Sequence, residues 1–470
     1  MIYIILPFLT AIREIKNMIY ERLKSKIVSH LSYFIGSGNE AFVVDPTRDI
    51  QQYLELAEKH GVNIKYVFET HRNEDYVIGS IELSNQTGAE IYHGDWPDWK
   101  YGNVAMDSDM FRVGNLKVTA LATPGHTPGC RSYIVTDLET GDHPVLVCTG
   151  DTLFIGDTGR TDFGGPENKV KWSTWLYESI HEKILPLGDN VIICPAHGSG
   201  SVCGSNIANR EDSTLGLEKK MNPWLQLSRE EFIKQKSTEH HNYAPYFKKM
   251  EKYNLEGAPE YGLGPTIKSM TPGGFERKLK EGGVVVDTRP PPSFASGYVK
   301  DSYNISMSRL GMAGWVLPYD KPILLILGNL AELKATVTGL ARMGYDNIEG
   351  YLNPSMVSWY LTARPVERLG ILTTPELKEN LEIGDWTVLD VRSIEEYESG
   401  HIEGSINLYA GLLGKNLDKI PRTKPIAVIC KSGTRSGFGA SILLRHGVEN
   451  IYNVMGGMTS WVNAGFPVEK

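Results

Sequence analysis

Short runs in which apolar and β-branched residues dominate or alternate with polar ones recur through the first half of the chain. They read as strands over Ser32 to Val44, Ile64 to Phe68, Leu116 to Leu121, Val145 to Cys148 and Asn190 to Cys194. Between them, helical spacing of apolar positions predicts helices over Gln51 to His60 and Lys171 to Ile184. Strands alternating with helices from residue 19 to about 225 make this an α/β domain. After it come Asn222-Pro223-Trp224, a helical stretch over Arg229 to Lys236, and a His/Tyr/Pro-rich segment from Thr238 to Gly264 that reads as a connecting arm.

The second half repeats itself. Asp287-Thr288-Arg289 and Asp390-Val391-Arg392 lie 103 residues apart (390 − 287), as do Asn304 and Asn407, Lys321-Pro322-Ile323 and Lys424-Pro425-Ile426, and Gly344 and Gly447. An offset held over such a length indicates two copies of one strand-helix-strand-helix domain. The expected division is an extension at 1–18, an α/β domain at 19–236, an arm at 237–264, and repeats at 265–364 and 365–470.

Composition narrows the function. A length of 470 residues suggests about three domains, and 41% hydrophobic content supplies globular cores rather than disorder. The 48 basic and 56 acidic residues give a net charge of −8 with no Lys/Arg block, so nucleic acid is not an expected partner. Five cysteines, at 130, 148, 194, 203 and 430, form no C-x-x-C pair, which excludes a disulfide framework or zinc knuckle and fits a reducing cytoplasm. The apolar run Met1 to Ile12 is too short to span a bilayer and lacks a basic flank, so neither signal peptide nor membrane span is expected. Met18-Ile19-Tyr20 repeats Met1-Ile2-Tyr3, so the first seventeen residues read as an extension.

Four strand ends in the first domain offer His or Asp. They are Glu69-Thr70-His71-Arg72-Asn73-Glu74-Asp75-Tyr76, Thr123-Pro124-Gly125-His126-Thr127-Pro128-Gly129, Thr149-Gly150-Asp151-Thr152, and Cys194-Pro195-Ala196-His197-Gly198. A histidine held in a turn by two prolines and two glycines, as His126 is, has the rigidity a ligand needs. The first of these stretches resembles the H-x-H-x-D-H loop of the metallo-β-lactamase superfamily, but Asn73 and Tyr76 stand where its second and third histidines would be. A second metal would keep only Asp75 and His197. The complete set is His71, His126 and Asp151, the two-histidine, one-carboxylate composition of mononuclear Fe(II) oxygenases. The same three groups could hold a zinc-bound water, which leaves hydrolysis open.

The stretch Gly150-Asp151-Thr152-Leu153-Phe154 to Gly159-Arg160-Thr161-Asp162-Phe163 resembles the persulfide dioxygenases of this fold. That resemblance implies one Fe(II) per chain, oxidation of a low-molecular-weight thiol persulfide by O2 to sulfite and thiol, and a substrate-orienting role for Arg160. Many members carry a cysteine before that Gly-Arg where this chain has Thr158.

A second constellation, Cys430-Lys431-Ser432-Gly433-Thr434-Arg435, follows the strand Ile426 to Ile429 and opens a helix. Backbone N–H groups of such a loop converge on the sulfur and on an anion above it, and a helix N-terminus favours negative charge there. The C-x4-R spacing and Gly400-His401-Ile402-Glu403-Gly404-Ser405-Ile406-Asn407 resemble rhodanese. The resemblance makes Cys430 and Arg435 catalytic and Lys431, Ser432, Gly433 and Thr434 the cradle for sulfite or thiosulfate. The 103 offset puts Leu327 and Glu332 at the nucleophile and arginine positions of the first repeat, which is therefore expected to be silent.

The whole order resembles bacterial persulfide dioxygenase-sulfurtransferase fusions. The expected architecture is a metallo-β-lactamase-like αββα sandwich followed by two rhodanese-like α/β domains in a cytoplasmic homo-oligomer. Such fusions carry a cysteine just after the last histidine loop, where Cys203 stands, so it is a candidate sulfur carrier. The competing readings are a glyoxalase-II-like zinc thioesterase with an attached sulfurtransferase, and a non-catalytic sulfur sensor.

Overall fold

A computed structural model describes residues 18–25, 27–204 and 206–470; the extension expected before Met18 lies outside them. The chain divides into two compact units. The first runs through residue 73 and then takes Ile78–His241 and Tyr253–Gly262, while the second holds Glu74–Val77, Asn242–Lys252 and Leu263–Lys470. Part of the expected arm, Asn242–Lys252, thus clusters with the second unit.

In the first unit, strands β1 (Ile19–Ser25), β2 (His30–Ser37), β3 (Glu40–Val44), β4 (Asn63–Phe68), β5 (Glu90–His93) and β6 (Asn103–Val104) form one sheet in that order. A second sheet holds β7 (Met110–Val113), β8 (Leu116–Ala122), β9 (Arg131–Asp137), β10 (Pro144–Gly150) and β11 (Ile192–Pro195), also in sequence order. The single strand expected over Ser32 to Val44 is a hairpin, because Gly38 adopts φ 65° and reverses the chain.

Two-residue alternation splits each strand between two cores. Tyr33, Ile35, Phe42, Val44 and Phe68 face Val118, Tyr133, Val135 and Leu146 of the other sheet. Phe34, Ala41, Val43 and Val67 instead meet Tyr53 and Leu83 from the helices Gln51–His60 and Ser80–Thr87. On the outer face of the second sheet, Ile134, Val147 and Ile193 pack with Ile184 and Leu215. Helices therefore cover both outer faces, an αββα sandwich. Phe68 stacks near Tyr133 and Phe111 at 4.6 and 5.0 Å between ring centroids. Aromatic pairs of this kind add about 1 kcal/mol each beyond burial, and here they fix the end of β4, from which the first candidate ligand projects.

The helical run expected at Lys171 to Ile184 continues from Lys169–Glu178 into a wider turn over Ser179–Ile184. The helix Arg229–Thr238, opened by a Ser228/Glu231 capping box, packs Phe232 on Leu176 and Ile180.

The second unit contains two parallel sheets. One holds β12 (Lys268–Met270), β13 (Val284–Asp287), β14 (Tyr303–Asn304), β15 (Ile323–Ile326) and β16 (Ile348–Leu352) in the order β12-β16-β15-β13-β14. The other holds β17 (Gly370–Leu372), β18 (Thr387–Asp390), β19 (Ile406–Asn407), β20 (Ile426–Ile429) and β21 (Ile451–Val454) in the order β17-β21-β20-β18-β19. The two orders are the same when the strands are counted from each repeat's start. The 103-residue offset also holds at hydrogen-bond level. Arg289 closes on Asp287 and on Gly297 O, as Arg392 does on Asp390 and Gly400 O. Asn304 Nδ2 donates to the carbonyls of Asp287 and Arg289, and Asn407 Nδ2 to those of Asp390 and Arg392. Among the described residues no helix is long and apolar enough to cross a membrane.

Candidate functional site

Three strand ends of the first unit converge. Asp151 directly follows β10, and Gly150 lets it approach, because a Cβ there would stand 2.6 Å from the Thr70 side chain at a φ of 54°. Oδ2 of Asp151 faces Nε2 of His71 at 3.7 Å and Nε2 of His126 at 3.6 Å. All three side chains are buried, and these distances exceed hydrogen bonds. Asp151 Oδ2 itself has no hydrogen-bond partner among the described residues.

The opposite nitrogens are engaged. His126 Nδ1 donates to Arg160 O at 2.9 Å. Thr70 gives its hydroxyl proton to Asp45 Oδ2 at 2.6 Å, so its oxygen accepts from His71 Nδ1 at 2.9 Å. Both imidazoles thereby present an Nε2 lone pair to the Asp151 carboxylate, the tautomer a metal ligand requires. Burial pushes the Asp45 carboxyl up to about 7 against the two Thr70 hydrogen bonds. Asp151 goes the other way. Burial alone would raise it, but the charge of His197 together with its hydrogen bond outweighs burial and holds it well below the carboxylate range.

His197, left by the sequence as half of a vestigial second site, has a role the pattern did not reveal. Its Nδ1 lies 2.7 Å from Asp151 Oδ1, so it fixes the carboxylate that faces the two histidines. Asn73, at the lost histidine position, turns its amide back to His71 O at 3.3 Å and braces the loop. A buried cluster of two imidazoles and one carboxylate oxygen, with its other atoms tied down, fits one metal ion of the iron or zinc class.

Arg160 is buried, and its guanidinium is committed to Asp162 by a bidentate pair at 2.6 and 2.7 Å, with Nη1 on Val202 O at 3.2 Å. The guanidinium expected to orient substrate is thus also paired within the fold. Its backbone N–H also donates to Cys203 O at 3.3 Å. Cys203 is buried, and its Sγ lies within 4.8 Å of a ring nitrogen of His197.

In the second unit, the loop after β20 closes on Cys430. Gly433 donates its N–H to the sulfur at 3.2 Å, and Ser436 Oγ lies at 3.4 Å. Gly433, at φ 99°, starts the helix Thr434–Arg445, while Lys431 and Ser432 stand exposed at the rim. Glu396, which the sequence reading did not single out, grips Arg435 through both carboxylate oxygens, with Nη2 to Oε1 at 2.6 Å. Its signal was the Ser393-x-x-Glu396 capping box. Burial would lower the Arg435 guanidinium, but the Glu396 pair overrides it and raises it. In the first repeat, buried Leu327 occupies the nucleophile position, and Glu332 Oε2 lies 3.8 Å from where a Cβ on Gly328 would stand.

Two stretches of the chain match known families. Residues 26–197 match the metallo-beta-lactamase superfamily and residues 373–464 the rhodanese-like domain. The persulfide dioxygenase ETHE1, mitochondrial, of Bos taurus is 32% identical over 211 residues, covering 43% of this chain and 74% of that protein. The hydroxyacylglutathione hydrolase GloC of Haemophilus influenzae is 28% identical over 207 residues, 39% of this chain and 87% of its own. A metallo-beta-lactamase crystal structure from Staphylococcus aureus subsp. aureus COL superposes with a TM-score of 0.64 at 29% identity, covering 71% of this chain and 98% of that one. The fold and site define a metallo-β-lactamase-superfamily protein with a carboxyl-terminal rhodanese-like domain. Within that superfamily the chain belongs to the family of the persulfide dioxygenases.

Proposed function

We propose that the chain is a mononuclear non-haem iron persulfide dioxygenase joined to a rhodanese sulfurtransferase, and that it clears low-molecular-weight thiol persulfides. The first reaction is RSSH + O2 + H2O → RSH + SO3²⁻ + 2 H⁺. In the second, the Cys430 thiolate attacks the outer sulfur of RSSH, the donor's S–S bond breaks with release of RSH, and sulfite then attacks the outer sulfur of the resulting Cys430 persulfide, releasing thiosulfate and the Cys430 thiolate. The first repeat is a rhodanese-like domain without the reaction.

The observation that carries this reading is the trio of His71 Nε2, His126 Nε2 and Asp151 Oδ2. These residues would hold an iron(II) ion, which would supply the one-electron chemistry a thiol persulfide needs to react with triplet dioxygen. The chain's own contribution is orientation. Arg160 O fixes the His126 ring, the Asp45–Thr70 relay fixes His71, and His197 fixes Asp151. Burial of the three ligand groups excludes bulk water from the reacting sulfur. Cys203, close to His197, is the thiol best placed to take sulfane sulfur in this domain. At the other site, the Gly433 N–H stabilises negative charge on Cys430 Sγ.

The match to a hydroxyacylglutathione hydrolase favours a second reading, thioester hydrolysis at zinc. An oxygen electrode separates the two: a thiol persulfide should consume one O2 per persulfide oxidised, with sulfite and thiosulfate appearing. Hydrolysis of S-lactoylglutathione without persulfide-dependent oxygen uptake would replace the first reading with the second.

A further inference from the structure

The Cys430 loop needs positive charge to hold a dianionic acceptor, yet its own arginine is already spent. Arg435 is neutralised by a bidentate carboxylate, while Lys431 of the same loop is exposed and makes no ion pair among the described residues. The seam between the two repeats runs beside this loop. Gly437, one residue past the Ser436 that touches the sulfur, is packed so closely that a Cβ would stand 2.9 Å from Pro291 and 3.1 Å from Asn304 of the first repeat. Ser441 accepts from the Asn304 N–H at 3.0 Å.

On the other flank, Trp315 of the first repeat lies against Gly411 and the Tyr409 ring, 5.1 Å between centroids. The Tyr409 hydroxyl points to Met312 Sδ at 3.8 Å. Met312 ends the turn Met307–Met312, whose one kinked residue, Arg309, is exposed and makes no ion pair among the described residues. Burial raises the Tyr409 hydroxyl most, and the charges of Arg435 and Arg309, one from each repeat, both reach it and act against that rise.

We propose that the cysteine-free repeat supplies Arg309 to the rim of the Cys430 site, where it is a specificity residue drawing in the dianionic sulfur acceptor or donor, sulfite or thiosulfate. This rests on the sulfurtransferase reading of Cys430. It gives the silent repeat a part in the reaction without a nucleophile of its own. The positive end of the exchange is then shared between Lys431 and Arg309 rather than assigned to Arg435. Removing one partly solvated cation from such a rim should weaken dianion binding by roughly threefold to tenfold at low salt, with the effect shrinking as salt rises.

The test uses the full chain and an inert dianion. Cys430 is alkylated with iodoacetamide under rising sulfate, and the half-protecting sulfate concentration is read by mass spectrometry for wild type, Arg309→Lys, Arg309→Gln and Arg309→Glu. The expected order is wild type close to Lys, then Gln severalfold higher, then Glu highest, with KM for thiosulfate following the same order. Because Arg309 is exposed, unchanged thermal midpoints across the series would separate charge from folding. Equal half-protection in wild type and Arg309→Gln overturns the role of Arg309 while leaving the cradle intact. No protection by sulfate in wild type overturns the anion-cradle reading of Cys430 together with it.

Discussion

Nδ1 of His197 lies 2.7 Å from Oδ1 of Asp151, and that bond leaves Oδ2 of the same carboxylate facing the His71 and His126 Nε2 atoms. A hydrogen bond to one oxygen orients the other and keeps the carboxylate ionised. His197→Gln should therefore lower metal affinity by about 10- to 100-fold. Chelator titration of the iron-loaded protein checks this, with Cys430 sulfur transfer as the activity expected to persist.

Cys430→Ser should cut thiosulfate formation by at least about a thousandfold, as loss of a nucleophile does. Sulfite should still accumulate from persulfide, because His71, His126 and Asp151 lie in the other compact unit. Ion chromatography of the products reads both at once.

Leu327→Cys should not make the first repeat a sulfurtransferase. Glu332 brings a carboxylate to the loop where the second repeat has an arginine, and it repels the anion the reaction needs. In a Cys430→Ser background, thiosulfate turnover should stay at background for Leu327→Cys; appreciable activity would remove this electrostatic explanation.

Glu396 gives a pH signature. Burial would raise its carboxyl, but the Arg435 hydrogen bond and charge bring it below the ordinary 4.5. A depressed carboxyl contributes stability above its unfolded value and loses that contribution as pH falls through its folded value. Glu396→Gln should thus lower the thermal midpoint of the second unit at pH 7. The gap to wild type should narrow below about pH 4.5, which scanning calorimetry across pH would measure.

Much of this was legible because it is written locally. A strand end followed by His or Asp marked His71, His126 and Asp151, and a fixed offset marked both repeats down to the Asn304 and Asn407 amides. What escaped depends on residues distant in sequence. His197 meets Asp151 across 46 positions, and Glu396 meets Arg435 across 39. The Ser32 to Val44 hairpin escaped for the opposite reason, since its two strands share one apolar pattern and only Gly38 marks the reversal. Arg160 and Asp162 stand two residues apart in the sequence, and the structure joins them in a bidentate pair.

A single iron held by His71, His126 and Asp151 is measured by metal analysis of anaerobically purified protein alongside persulfide-dependent oxygen uptake. About one iron per chain is expected, with both iron and oxygen uptake lost in a folded His126→Ala variant. Two zinc ions per chain with thioester hydrolysis, or undiminished oxygen uptake in His126→Ala, would contradict it.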